Sequence, residues 1–205
     1  MGYSFDSKMN RFAGRSDLST NLVHLTKERD SASAMDVLFE ILETGYIKGS
    51  NSSGFINGST PAVCFQDVPL TAVCQNCWYE QKYLEKKHKK DRYEPIGFLV
   101  RKEEVYNQKG RPVIYDNVSE AKKYLKTEDY WRIVNLDLSD NNNIIDWTHE
   151  REWRVPHKFD LSLSDTILLF TNEGCTRDFI SRCEEKGVTW HRDVAGIVTL
   201  SALLF

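Results

Sequence analysis

The sequence predicts an α+β fold built as one domain, and three observations carry that expectation. Strand patterns follow one another in the second half of the chain with few helices between them, unlike the strict alternation of a doubly wound sheet. Clear helical periodicity marks the first half. The length of 205 residues suits one domain. At this size folding buries roughly 70% of the surface that the unfolded chain exposes, so a proper core can form. The domain is expected over 21–205, with an irregular arm over 1–20 that is polar and carries Arg11 and Arg15.

The elements follow in order. Asn21 to Thr26 alternates like a short strand, with Val23 and Leu25 on one face and Leu22, His24 and Thr26 on the other. Met35, Leu38, Phe39 and Leu42 then recur at the spacing of one helical face. Ser31 or Ser33 can cap that helix, and Gly45 can end it in a left-handed turn. Residues 48–61 are rich in Gly, Ser and Asn and read as a long loop of the kind that forms lids or binding loops. A strand follows over 61–68, stopped by Pro69. A helix is expected over 71–88, closing in the basic run Lys86 to Lys90. Further strands are expected over 96–101, 112–115, 133–138, 150–155 and 166–170, with helices over 118–127 and 173–186. A final apolar strand is expected over 196–205.

Composition narrows the function classes. The net charge of −3 supplies no general basic field, so a nucleic-acid partner would need a local patch. The aromatic share of 12% is high and fits a stacking surface or a pocket. No apolar run approaches the roughly 20 residues needed to span a bilayer, and the N-terminus lacks the apolar stretch of a secretory signal. A cytoplasmic protein without a membrane partner is expected. The five cysteines make an odd number, which favours free thiols. Cys74-x-x-Cys77 has metal spacing, but no second such pair and no suitably placed histidine completes a zinc site. No metal is expected.

The phosphate-binding GxxxxGK[ST] and GxGxxG loops are absent, as are HExxH and GxSxG. The densest chemistry lies in Asp146 to Arg154, which holds two tryptophans, two arginines and Glu150-x-Glu152. As a strand it would place Glu150, Glu152 and Arg154 on one face, and Arg151, Trp153 and Val155 on the other. Two carboxylates beside an arginine can tune acidity for catalysis. The same pattern also suits a solvated, salt-paired face.

His24-x-Thr26, Phe65-Gln66 and Glu150-x-Glu152 occur in the strand order of the ADP-ribosyltransferase fold, whose sheet is split in two. Over roughly residues 20–160 the chain resembles the AbiGi-type abortive phage resistance family and, more remotely, the DarT-like DNA ADP-ribosyltransferases. The resemblance rests on Val23 to Thr26, Glu43 to Ile47, Ala62 to Leu70, Arg111 to Tyr115 and Glu150 to Arg154. It implies NAD+ as substrate, consumed by an ADP-ribosyltransferase or NAD+ glycohydrolase of a toxin or phage-defence system. It further implies that His24, assisted by Thr26, binds a ribose, and that Phe65 or Tyr46 stacks on nicotinamide. Arg11 or Arg15 would hold the pyrophosphate. Glu152 would accept a ribose hydroxyl and stabilise the cationic sugar as nicotinamide leaves, and Glu150 would orient or deprotonate the acceptor. That acceptor would be nucleic acid, protein or water, and a cognate antitoxin or toxin is the expected partner.

Phe65 departs from the hydroxyl-bearing Tyr or Ser of the better-known clades. This leaves a second expectation: a non-catalytic module on the same fold, binding a nucleotide, a nucleic acid or a protein as antitoxin or sensor. A third is an RNA-cleaving toxin with His24 or His149 as acid or base.

Overall fold

A computed structural model describes residues 2–29, 31–51, 55–85 and 95–203. In chain order the elements are α1 (Phe5–Ala13), β1 (Asn21–Leu25), α2 (Ala34–Thr44), β2 (Tyr46–Lys48), β3 (Ala62–Gln66) and α3 (Leu70–Glu85). There follow β4 (Gly97–Arg101), α4 (Lys102–Asn107), β5 (Arg111–Pro112), β6 (Ile114–Asp116), α5 (Val118–Tyr124) and β7 (Ile133–Asn135). The last are β8 (Glu152–Pro156), β9 (Lys158–Asp160), β10 (Ile167–Phe170), α6 (Glu173–Lys186), α7 (Trp190–Asp193) and β11 (Gly196–Thr199). The protein is thus mixed α and β with mostly antiparallel strand pairing. The basic run Lys86 to Lys90 lies outside the described residues.

The clearest sequence signal, α2, buries Met35, Leu38, Phe39 and Leu42. A reciprocal cap starts it. The Asp36 backbone N–H donates to Ser33 Oγ, and the Asp36 carboxylate accepts from the Ser33 N–H and hydroxyl. Gly45, at φ +73°, ends it. A residue with a Cβ is disfavoured in that conformation. The arm is not irregular, as expected from its polarity, but holds α1. Ser4 caps this helix by accepting from the Ser7 N–H, and Phe5, Met9 and Phe12 recur at helical spacing. At the other end, β11 stops at Thr199 and a 3-10 turn over Leu200–Leu203 takes the place of the expected strand there, while the last two positions of that expectation lie outside the described residues.

The residues group into two compact units, each made of several stretches of chain. The first comprises Met1–Phe39, Asp67–Arg101 and Leu163–Phe205. Its strands run in the order β11-β10-β4-β1, antiparallel except for the parallel pair β10 and β11. Gly97 on β4 faces Leu25 on β1, and a Cβ there would collide with the His24 carbonyl oxygen. Glycine therefore permits this close pairing. The core gathers Val23, Val68, Val73, Leu99, Leu169 and Leu200, and the thiols of Cys74 and Cys77 pack among them. None of the five cysteines is in a disulfide.

The second unit comprises Glu40–Gln66 and Lys102–Ser162. Here β8 lies between β3 and β5, antiparallel to both. Two smaller pairs accompany it: β2 with β9, antiparallel, and β6 with β7, parallel. No described helix is long and apolar enough to cross a membrane.

Candidate functional site

The densest chemistry of the second unit lies on one face of the β3–β8 pair. Directly opposed residues of an antiparallel pair project from the same face. The register sets Cys64 opposite Arg154 and Gln66 opposite Glu152, so these four share a face. Phe65 and Trp153 are also opposed and lie on the other.

The charged face is buried. Arg154 is only 1% exposed and Glu152 only 7%. The guanidinium donates from Nε to Glu152 Oε1 at 2.7 Å and from Nη2 to Oε2 at 3.4 Å. Its Nη1 donates to the Trp131 and Ile133 carbonyls at 2.7 and 3.1 Å. Burial alone would lower the proton affinity of Arg154, but the Glu152 carboxylate beside it more than offsets that. The solvated, salt-paired face that the sequence also allowed is therefore replaced by an interior ion pair.

Glu150 is not on the strand. It closes a 3-10 turn, Thr148–Glu150, and Arg151 then adopts a left-handed conformation at φ +45°. The strand begins only at Glu152. The Thr148 N–H and hydroxyl both donate to Asp146, which fixes the start of the turn and lowers the Asp146 pKa. Glu150 is nonetheless as buried as Glu152, so the kink at Arg151 brings both carboxylates inside.

A thiol and a phenol report that both carboxylates bear on one region. Burial pushes the Cys64 thiol far up, and the charges of Glu152 and Glu150 add to it. Burial also pushes Tyr115 up to about 12, with the same two carboxylates contributing. The Tyr115 hydroxyl accepts from the Glu152 backbone N–H at 2.7 Å, which pins β6 to the start of β8. Such a thiol is held protonated and is a poor nucleophile.

The long loop over 48–61 reaches this region through Asn57. Its amide donates to the Ile133 carbonyl at 3.1 Å, the same oxygen that receives Arg154. Ile56, Ala62 and Trp131 form the apolar cluster against which Cys64 packs.

The remaining sequence candidates are placed as follows. Phe65 is buried and meets Phe159 edge-on at 5.1 Å, on the face of the sheet away from Glu152. Tyr46 opens β2, half-buried, with Lys158 Nζ 5.3 Å from its ring centre. In the first unit Thr26 is buried, and its hydroxyl donates to the Ile96 carbonyl at 3.0 Å. His24 is half-buried on β1, its ring 6.3 Å from that of Phe98. Arg15 is exposed and doubly bonded to Asp17. Arg11 stacks over Tyr3. His149 is exposed, near the Trp147 ring.

Sequence reasoning placed Glu150, Glu152 and Arg154 together but missed Tyr115, Cys64 and the Gln66 amide as their neighbours. Alternation along β3 puts Gln66 and Cys64 opposite in sense to Phe65, but only the β3–β8 register ties them to Glu152.

No family model, curated protein or solved structure matches the chain. Fold and site define a class: an α+β protein with a carboxylate–guanidinium cluster in its interior.

Proposed function

We propose that this chain is an NAD+-consuming enzyme, an ADP-ribosyltransferase or NAD+ glycohydrolase of a toxin or phage-defence system. The observation that carries this reading is the burial of Glu150 and Glu152 together, within range of one thiol and one phenol. The resemblance to the AbiGi-type family, with its ordered His24, Phe65 and Glu152, supports it.

In this mechanism the bond between nicotinamide nitrogen and ribose carbon breaks. The electron pair leaves with nicotinamide, and the sugar becomes oxocarbenium-like. Glu152 stabilises that positive charge, as a carboxylate does in glycoside hydrolysis. An acceptor hydroxyl or water attacks the sugar carbon and passes its proton to Glu150. Arg154 acts through Glu152 by fixing its orientation. Stacking on nicotinamide falls to Tyr46, because Phe65 turns to the other face.

Nicotinamide release from NAD+ tests the reading, with Glu152→Gln as control. The amide keeps an acceptor for Arg154 but removes the charge, and the rate is expected to fall on the order of 100-fold or more. Full activity in Glu152→Gln removes Glu152 from the chemistry.

A second reading has its own support. Both oxygens of Glu152 are already engaged by Arg154, as in a carboxylate kept for architecture. On that reading the chain is a non-catalytic binding module, an antitoxin or sensor. Calorimetry that finds NAD+ bound with no nicotinamide released selects it.

A further inference from the structure

Gln66 stands out among the buried polar groups. It is 7% exposed, and its side-chain Oε1 accepts no hydrogen bond from the described residues. Its neighbours on the same face are satisfied. Arg154 has four contacts, Glu152 has Arg154, and Cys64 bonds to Glu152. An interior acceptor without a donor costs stability, and a native protein rarely keeps one without a use for it. The direct register between Gln66 and Glu152 puts this acceptor beside the carboxylate.

We propose that Gln66 is a substrate-recognition residue, whose amide oxygen accepts a hydrogen bond from the nicotinamide carboxamide while Glu152 holds the adjoining ribose. This rests on the NAD+ reading above and adds to it the group that selects the base. The chemistry of the neighbours narrows the ligand. Gln66 Oε1 can only accept, and the carboxylate of Glu152 lies directly across from it, so the group received is a neutral or cationic donor. In the nicotinamide half of NAD+ the donors are the ribose hydroxyls, which Glu152 takes, and the carboxamide N–H2. Replacing that carboxamide by a carboxylate removes the donor and sets an anion against the lone-pair side of Gln66 Oε1. The site therefore discriminates nicotinamide from nicotinic acid.

The test compares NAD+ with nicotinic acid adenine dinucleotide, by calorimetry and by release of the free base, in the wild type and in Gln66→Met. Methionine keeps the length of the side chain and removes the acceptor. The wild type is expected to bind NAD+ at least tenfold more tightly than the acid analogue. Gln66→Met is expected to lose most of that preference by weakening NAD+ binding. Loss of Oε1 costs the ligand-free protein nothing, since that atom has no donor among the described residues, so any fall in melting temperature reports the Nε2 side of the amide. An unchanged preference in Gln66→Met overturns the role of Gln66 while leaving the NAD+ reading intact. A lower melting temperature without ligand, with preference unchanged, identifies Gln66 as architectural and also overturns it. A wild type that neither binds nor cleaves NAD+ overturns the NAD+ reading, and this inference with it.

Discussion

The two units bury different chemistry. In the first, the buried polar side chains among the described residues are those of two threonines, Thr26 and Thr166, set in an interior of valine, leucine, phenylalanine and thiol. In the second, a comparable interior holds Gln66, Glu150, Glu152 and Arg154. Thr26 shows how polarity is handled in the first unit. One hydroxyl donates to one backbone carbonyl. In the second unit Arg154 alone donates to Glu152 and to two backbone carbonyls, and charge is retained where an apolar core would be easier to build. A buried ion pair is often no more stabilising than hydrophobic residues of the same volume. Its presence therefore points to function more strongly than the threonines do.

The largest expected effect breaks this contrast directly. Glu152→Ala leaves Arg154 charged and buried without its carboxylate, a defect that costs about 3–5 kcal/mol. Thr26→Val in the first unit loses one neutral hydrogen bond, and the loss is expected near about 1 kcal/mol. Denaturant midpoints of the two variants measure both. Equal midpoints would remove the distinction between the units. The alanine variant is consequently a poor probe of catalysis, since lost activity would report lost folding; Glu152→Gln keeps one acceptor for Arg154, and its melting temperature is measured beside its rate so that lost folding is told from lost chemistry.

The pH dependence of stability should run in opposite directions in the two units. Tyr115 is pushed up to about 12 by burial near the carboxylates, whereas an unfolded tyrosine titrates near about 10. The unfolded chain thus gives up this proton first. The stabilisation is complete below about pH 10 and is lost as pH rises through about 12. Asp36 in the first unit is held at about 2 by hydrogen bonds from Ser33 and from Arg182. Its contribution is present above about pH 4 and is lost as pH falls through about 2. The Asp36 side chain is 46% exposed, so solvent screening makes the acid limb the smaller one. Urea midpoints across pH, with Tyr115→Phe and Asp36→Asn, separate the limbs. A full alkaline limb persisting in Tyr115→Phe would show that the buried cluster does not govern it.

Legibility from sequence also divides along these lines. Periodicity located α2 and its buried Met35, Leu38, Phe39 and Leu42, because a single amphipathic helix carries its signal locally. It also placed α6 over Glu173–Lys186. The short strands β2 and β9 went unseen. Each has three residues and depends on a partner more than a hundred residues away in the chain. The helix α1 was hidden by its polar composition, although Ser4 and the spacing of Phe5, Met9 and Phe12 were available. At the site, the residues Glu150, Glu152 and Arg154 were readable, but their burial was not. Alternation gives two faces and cannot say that the fold covers both, the charged one with Glu152 and Arg154 as well as the apolar one with Phe65. The left-handed turn at Arg151 was likewise invisible, since nothing in an Arg demands positive φ.

That two-face geometry yields the smallest and sharpest prediction. Phe65 packs edge-on against Phe159 and lies opposite in sense to Glu152. Phe65→Leu keeps an apolar side chain and loses the aromatic pair, worth about 0.5–1.5 kcal/mol. The melting temperature should fall slightly, while KM for NAD+ stays at the wild-type value. Tyr46→Leu should do the reverse, raising KM with little change in stability, because Tyr46 is only half-buried on β2. A KM raised tenfold by Phe65→Leu at unchanged stability would place the Phe65 ring against substrate. The substrate would then have to reach the face away from Glu152, and the buried carboxylates could no longer be the centre of the reaction.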